Sequence, residues 1–305
     1  MKPLFPTRNR EAAAVARLLE RLAQTDLPLI VEGETGSGKS FVAEGIHRVG
    51  RGDRPLVVVD CGAVPETLVA AELFGHAAGA FTDAGAGRSG WLARAGDGTL
   101  VLDRIDFLPV VAQLALLRVL EEKRFQPLGS RAPQSLRARV VALAGSDFAE
   151  RRAGGVFRSD LYHRLAGYHV VLPPLRSRRE DIVPSARRVL ARQCRMLRHP
   201  LVFDGEAEAL LESLPWPGNF RQLDAAVVRA ALRATTDRVG VRELGDEDVR
   251  WGEVAELAAE RLLTVREVSH SYALHVLARC GGNVSRAARV LGVSRRTLIR
   301  WRAQR

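Results

Sequence analysis

The sequence predicts a doubly wound, parallel α/β domain followed by smaller all-helical regions. Two observations carry this. As far as Leu172, short apolar runs alternate with helical stretches, the pattern of buried parallel strands joined by crossover helices. Beyond Pro173-Pro174 the apolar residues recur at helical spacing towards the C-terminus. Composition agrees. Apolar residues make up 47% of the 305-residue chain and charged residues 27%, enough apolar side chain for a packed core and too much for a disordered chain.

Several classes fall away at once. Apolar runs such as Leu56-Val57-Val58-Val59 are far too short to cross a bilayer, and the opening MKPLFPTRNR has no apolar signal core. Cys61, Cys194 and Cys280 have neither metal-ligand spacing nor a disulfide framework, so reduced thiols and a cytoplasmic location are expected.

The elements follow in order. Residues 9–24 predict an Ala/Leu/Arg-rich helix that Thr25 and Asp26 end, and residues 27–31 predict a buried strand. That strand runs into Gly33-Glu34-Thr35-Gly36-Ser37-Gly38-Lys39-Ser40, with a helix predicted over 41–49. Strand, Gly-x4-Gly-Lys-Ser and helix together are the P-loop arrangement. The glycines let backbone N–H groups curl around phosphates at a helix N-terminus. Lys39 then reaches the β- and γ-phosphates and the Ser40 hydroxyl ligates Mg²⁺. Lys39 is one of only three lysines in the chain. Strands are predicted over 57–60, 98–103, 139–144 and 168–172. The second of these ends in Asp103, an acid placed to hold Mg²⁺; alone it reads as an ordinary strand-end turn, but paired with a P-loop it reads as a Walker B carboxylate.

From here the residues resemble a known family. Glu72-Leu73-Phe74-Gly75-His76, then Gly79-Ala80-Phe81-Thr82-Asp83-Ala84, is similar to the ELFGH and GAFTGA motifs of bacterial enhancer-binding proteins, the AAA+ activators of sigma-54 RNA polymerase. The likeness continues through the Asp97–Asp103 run, Phe157-Arg158-Ser159-Asp160-Leu161-Tyr162-His163-Arg164-Leu165, Leu172-Pro173-Pro174-Leu175-Arg176 and Trp216-Pro217-Gly218-Asn219-Phe220-Arg221. It implies ATP and Mg²⁺ as ligands and residues 79–84 as the sigma-contact loop. It also implies that Arg158 and Arg164 reach into a neighbouring subunit's ATP site and that Arg221 senses nucleotide from the lid.

The departures from the family pattern fall on hydrolysis and coupling. The glutamate that usually follows the Walker B aspartate, and orients the attacking water, is Arg104 here. An arginine stays protonated and cannot act as a base. The asparagine that partners that glutamate matches Asp60, the Thr-Asn sensor reads Ala144-Gly145, and Asp83 replaces a glycine in the sigma-contact loop. The intact P-loop beside these changes predicts ATP binding with weak or absent hydrolysis. The alternatives are an active ATPase that remodels sigma-54 polymerase and a generic P-loop ATPase.

After Pro174, residues 179–197, 205–214 and 219–234 predict helices, the lid by resemblance. The domains are accordingly placed at 1–173 (α/β), 174–234 (lid), 235–256 (a polar linker) and 257–305 (DNA-binding). Residues 257–279 predict a long helix with Val265, Val268, Tyr272, Val276 and Arg279 at helical spacing. With only about 26 residues before the first strand, no sensory domain is expected ahead of it.

The net charge is +11, and it is concentrated. Residues 279–305 hold eight arginines with no Asp, Glu or Lys, while the rest of the chain has 38 basic and 35 acidic side chains. An arginine-rich coding bias explains the shortage of lysine but not the missing acids, so nucleic acid is the expected partner. Two short helices, over 286–291 and 295–304, meet at Gly292-Val293 around Ala288, Leu291, Val293, Leu298 and Trp301. This is a helix-turn-helix, and GNVSRAARVLGVSRRTLIRW resembles the Fis-type domain of the same family. Arg295, Arg296, Thr297 and Arg300 are the candidate contacts to double-stranded DNA, bound by dimers in the major groove. Homo- or hetero-oligomers, from dimer to hexameric ring, are expected.

Overall fold

The computed structural model describes residues 4–77, 87–245, 269, 272–273, 276–277 and 280–303. It divides into two compact units, the first running to Pro173 and the second from Pro174 onward.

The first unit is built on five parallel strands: β1 (Leu29–Glu32), β2 (Leu56–Asp60), β3 (Thr99–Asp103), β4 (Arg139–Ala144) and β5 (Tyr168–Val171), in the spatial order β2-β3-β4-β1-β5. Parallel neighbours need crossovers, and helices supply them: α1 (Arg10–Ala23), α2 (Lys39–Arg51), α3 (Glu66–Phe74), α4 (Val110–Glu122) and α5 (Ser159–Leu165). Alternation along the strands gives the sheet two apolar faces. Leu29, Val31, Val101, Val141 and Leu143 pack with α1 and α2; Ile30, Leu100, Leu102, Val140 and Ala142 pack with α3 and α4. The carboxyl ends of the strands share one edge, where ligands sit in sheets of this kind.

At the opposite edge the end of α1 docks on α2. The Ala23 carbonyl accepts a hydrogen bond from Arg139 Nη1 at 3.1 Å. Arg139 is only 3% exposed, and burial lowers its pKa to about 10. A Cβ added to Gly50, inside α2, would lie 2.1 Å from that same carbonyl oxygen.

In the second unit, α6 (Ile182–Leu197), α7 (Gly205–Ser213) and α8 (Asn219–Arg233) enclose a core around Leu190, Leu211, Trp216, Leu223 and Val227. The helix expected over 179–197 begins instead with a 3-10 turn, Arg179–Asp181. Pro184 then falls in the first turn of α6, where a missing N–H costs little. The polar segment from Thr235, expected to be linker, contributes a strand and a short helix. β6 (Val202–Phe203) pairs in parallel with β7 (Arg238–Val239), and Val239 and Leu244 are buried in the lid core. Its polarity is capping chemistry: the Gly240 N–H donates to Glu243 Oε2 at 2.8 Å. Further along, α9 (Val284–Val290) and α10 (Arg295–Ala303) enclose Ala287, Ala288 and Leu298 with Ala273, Val276 and Leu277. Val265, Val268 and Arg279 of the expected long helix lie outside the described residues.

Alanine normally favours a helix over glycine by roughly 1 kcal/mol. Gly50→Ala should nevertheless destabilise the protein by about 1–3 kcal/mol, because the methyl group meets backbone rather than a side chain that can turn away. Chemical denaturation measures this; a variant as stable as the parent would overturn the close packing of α1 on α2.

Candidate nucleotide and DNA sites

The P-loop emerges from the carboxyl end of β1. Gly36 and Gly38 have φ of +75° and +103°, in the left-handed region that suits glycine. Gly33 is packed so closely that a Cβ there would lie 2.9 Å from Ser37 Oγ and 3.3 Å from the Leu172 side chain. No side chain caps the start of α2 at Gly38, which leaves the helix end suited to an anion. Lys39 Nζ folds back over the loop and donates to the carbonyls of Gly33 (2.6 Å) and Glu34 (3.0 Å). Thr35 and Ser40 are exposed. A left-handed glycine turn, a helix end free of side-chain caps and an ammonium at its mouth fit a nucleotide polyphosphate.

Asp103 ends β3, half-buried, and its Oδ1 accepts the Arg104 N–H at 2.9 Å. Asp60 ends β2 in register with Asp103. The next residue on β3 therefore comes against the turn after β2. Arg104, with φ of +52°, turns its guanidinium onto Asp60: Nε donates to Oδ1 at 2.6 Å and Nη2 to Oδ2 at 2.5 Å. The pair is bidentate, and the guanidinium holds the Asp60 carboxyl below the usual carboxylate range. Gly62 makes room for it, since a Cβ there would lie 2.8 Å from Arg104 Cζ.

A second set of charges lies at the end of β4. Gly145 offers no side chain, and the space is taken by acids: an added Cβ would lie 2.6 Å from Asp147 Oδ1 and 3.5 Å from Asp106 Oδ2. Asp106 is 2% exposed, and burial raises its carboxyl pKa. The Gly145 N–H donates to it at 3.4 Å. Arg151, on the short helix Phe148–Ala153, places Nε 2.9 Å from Asp147 and 3.8 Å from Asp106. The exposed Phe107 ring carries both arginines, with Arg151 Cζ 4.1 Å and Arg104 Cζ 5.7 Å from its centre. Beneath this edge the Cys61 thiol is pushed up to about 12, first by burial and then by Asp60, Asp103 and Asp106.

The other expected residues are distributed. Arg158 precedes α5 and is held by Asp160 in a bidentate pair, at 3.0 and 2.7 Å; its N–H donates to Gln113 Oε1 at 2.9 Å. Arg164 lies exposed on α5, its Nε donating to the Leu120 carbonyl at 3.2 Å. Arg221 is exposed in the first turn of α8. Gly79, Ala80, Phe81, Thr82, Asp83 and Ala84 lie outside the described residues. In the helix-turn-helix, Asn283 caps α9 and Gly292, at φ +65°, makes the turn. Ser294 Oγ accepts the Thr297 N–H at 3.0 Å and bonds the Thr297 hydroxyl at 2.7 Å. Thr297 is thus part of the cap of α10, while Arg295 and Arg296 are exposed beside it and Arg300 lies on the same helix.

Asp60 and Arg104 were each visible in the sequence as departures, but not as a pair, because 43 residues lie between them. Asp106, Asp147, Arg151 and Gly62 carry no sequence signal of their own. They act only through a register between strands.

A P-loop on a five-stranded parallel sheet, a helical lid and a helix-turn-helix define a nucleotide-binding, DNA-binding class of protein. The family follows from comparison with known proteins. Residues 6–171 match the sigma-54 interaction domain, residues 176–258 the AAA+ ATPase lid domain and residues 264–303 the Fis family of bacterial regulatory proteins. The chain belongs to the sigma-54 enhancer-binding family of transcriptional regulators. It is 38% identical to the transcriptional regulatory protein ZraR of Klebsiella oxytoca over 296 residues, covering 95% of this chain and 67% of that protein. It is 42% identical to the nitric oxide reductase transcription regulator NorR2 of Cupriavidus necator, covering 77% of this chain and 46% of that one. Crystal structures of NtrX from Brucella abortus in complex with ADP and with ATP superpose with TM-scores of 0.73 and 0.70 at 27% and 26% identity, covering 97% and 98% of this chain and 69% and 68% of theirs. Among the described residues no helix is long and apolar enough to cross a membrane.

With a pKa near 12, the Cys61 thiol is roughly 0.01% thiolate at pH 8, and the thiolate is the reactive form. Iodoacetamide at pH 8 should leave Cys61 unmodified in the folded protein and alkylate it after unfolding, read by peptide mass spectrometry. Rapid alkylation of folded protein would contradict the buried thiol beneath Asp60 and Asp103.

Proposed function

We propose that this chain is a cytoplasmic, sequence-specific DNA-binding regulator that binds ATP and hydrolyses it weakly or not at all. Residues 1–173 are read as the ATP-binding part, 174–234 as the main body of the lid and 257–305 as the DNA-binding part. Residues 33–40 hold the triphosphate through backbone N–H groups and Lys39. Ser40 and Asp103 hold the Mg²⁺ that accompanies it, and Arg221 reads the nucleotide from the lid. The bound Mg²⁺ supplies charge neutralisation to the phosphates. Hydrolysis further requires a group that orients water and takes its proton.

One observation carries the reading. At the position where that carboxylate is expected stands the Arg104 guanidinium, committed to Asp60 through two hydrogen bonds. A cation cannot be the base, and Gly145 brings no side chain to the sensor position. Arg158 and Arg164 are retained and exposed or partly so, which supports a role in trans on a neighbouring subunit's nucleotide in a homo- or hetero-oligomeric ring. Residues 79–84 are the surface offered to sigma-54 polymerase. The rival reading, an active sigma-54 remodelling ATPase, draws on the intact P-loop and on these arginines.

The deciding measurement is ATP turnover beside ATP binding on the same protein. Arg104→Glu alone sets a carboxylate against Asp60, so the useful comparison is the double variant Asp60→Asn/Arg104→Glu. Wild type should bind ATP with turnover near background, and the double variant should turn over faster, by up to the ~10²–10⁴-fold that a positioned base supplies. Wild-type turnover equal to that of the double variant would establish the rival reading.

For DNA, Arg295→Ala or Arg296→Ala should weaken binding. A lost phosphate contact lowers the salt dependence by about one ion per site equally on all sequences, whereas a lost base contact costs about 1–3 kcal/mol on the operator alone. Fluorescence anisotropy across a salt series separates the two, and unchanged affinity in both variants would remove α10 from the interface.

A further inference from the structure

We propose that the Arg104–Asp60 pair is a latch opened by the terminal phosphate of the bound nucleotide, so that this site distinguishes tri- from diphosphate by affinity rather than by turnover. The inference rests on the reading of residues 33–40 as the triphosphate cradle. It concerns what Arg104 does there, which the loss of a base does not specify.

Four observations support it. Arg104 is presented by a left-handed backbone, φ +52°, at the carboxyl edge of the sheet, directly after the putting-down point of the Mg²⁺ candidate Asp103. Its side chain and that of Asp60 are both about half exposed, at 47% and 45%, so the pair is open to an incoming anion. A half-exposed ion pair is worth little in water and is readily exchanged. The guanidinium fork that fits the two oxygens of Asp60 fits two oxygens of a phosphate equally well, and a terminal phosphate carries more charge than a carboxylate. Finally, the seat is specific: Gly62 leaves the space, a Cβ there lying 2.8 Å from Cζ, and Phe107 offers its ring on the other side at 5.7 Å.

In the nucleotide-free or diphosphate state, Arg104 stays on Asp60. With a triphosphate in the cradle it exchanges the carboxylate for the γ-phosphate, and Asp60 at the end of β2 loses its partner. No bond is made or broken, and the signal persists for as long as the nucleotide stays. Asp60 is then a competitor for Arg104: its neutralisation strengthens triphosphate binding, whereas loss of the arginine weakens it.

Calorimetric titration with the non-hydrolysable analogue AMP-PNP and with ADP, both with Mg²⁺, tests this without any turnover. Arg104→Gln should cut the preference for AMP-PNP over ADP by about tenfold, the size of a charged hydrogen-bond contribution. Asp60→Asn should raise AMP-PNP affinity several-fold and leave ADP affinity unchanged. A merely structural ion pair would move both variants, and both nucleotides, in the same direction. An Arg104→Gln preference equal to that of wild type, or an Asp60→Asn protein with unaltered AMP-PNP affinity, would overturn the latch while leaving the nucleotide-binding reading intact. Failure of the wild-type protein to bind either nucleotide would overturn both.

Discussion

A bidentate contact between two short side chains, Arg104 and Asp60, fixes the chemistry of the carboxyl edge. It exists because β2 and β3 end in register, Asp60 opposite Asp103, so the residue that follows Asp103 can reach back across the gap between strands. In the family pattern that position is a glutamate facing an asparagine, a neutral partner for an acid. Here the acid has moved to the other strand and a cation has taken its place. A change at either position alone strands a charge: an arginine facing asparagine has nothing to neutralise it, and an aspartate facing glutamate repels it. Together they make a stable pair that does no acid–base work.

The second set of departures has the same compensated form. Gly145 empties the sensor position, and the carboxyls of Asp106 and Asp147 enter the space a side chain would need. Two acids so close, one of them nearly buried, require a counter-charge, and Arg151 supplies it while stacking on Phe107. Phe107 thus links the two sets, with a guanidinium from each near its ring. The edge keeps a balanced count of paired charges although its individual residues differ from the family's. Loss of selection on the site would leave unpaired groups here. Paired ones indicate a site still under constraint for some task other than splitting water.

The large features were legible in the sequence because each rests on local chemistry. Alternation of apolar runs gave five strands to within a few residues, and the glycine-rich loop needed only its flanking strand and helix to be read. Helix ends were less exact. Residue 41 was the expected start of α2, yet it begins at Lys39, because the left-handed Gly38 closes the loop one step earlier. The segment after Thr235 was misread as linker because a two-residue strand buries only Val239, too little for a pattern. The compensating charges were illegible for a different reason: pairing of Asp60 with Arg104, and of Gly145 with Asp106, is decided by the register of neighbouring strands, which no local window contains.

Binding and turnover separate cleanly in this architecture because they are made of different parts. The cradle consists of backbone N–H groups, two left-handed glycines and one lysine, and it is fixed by the path of the chain from β1 into α2. Hydrolysis depends instead on side chains brought from the ends of β2, β3 and β4. Four substitutions at those ends leave the path of the P-loop untouched, as the left-handed φ values of Gly36 and Gly38 show. A chain can therefore surrender the water-activating carboxylate and keep its grip on phosphate. What the arginine then adds is a cation whose own partner is a carboxylate, so the occupancy of the site and the pairing of Asp60 become two sides of one equilibrium.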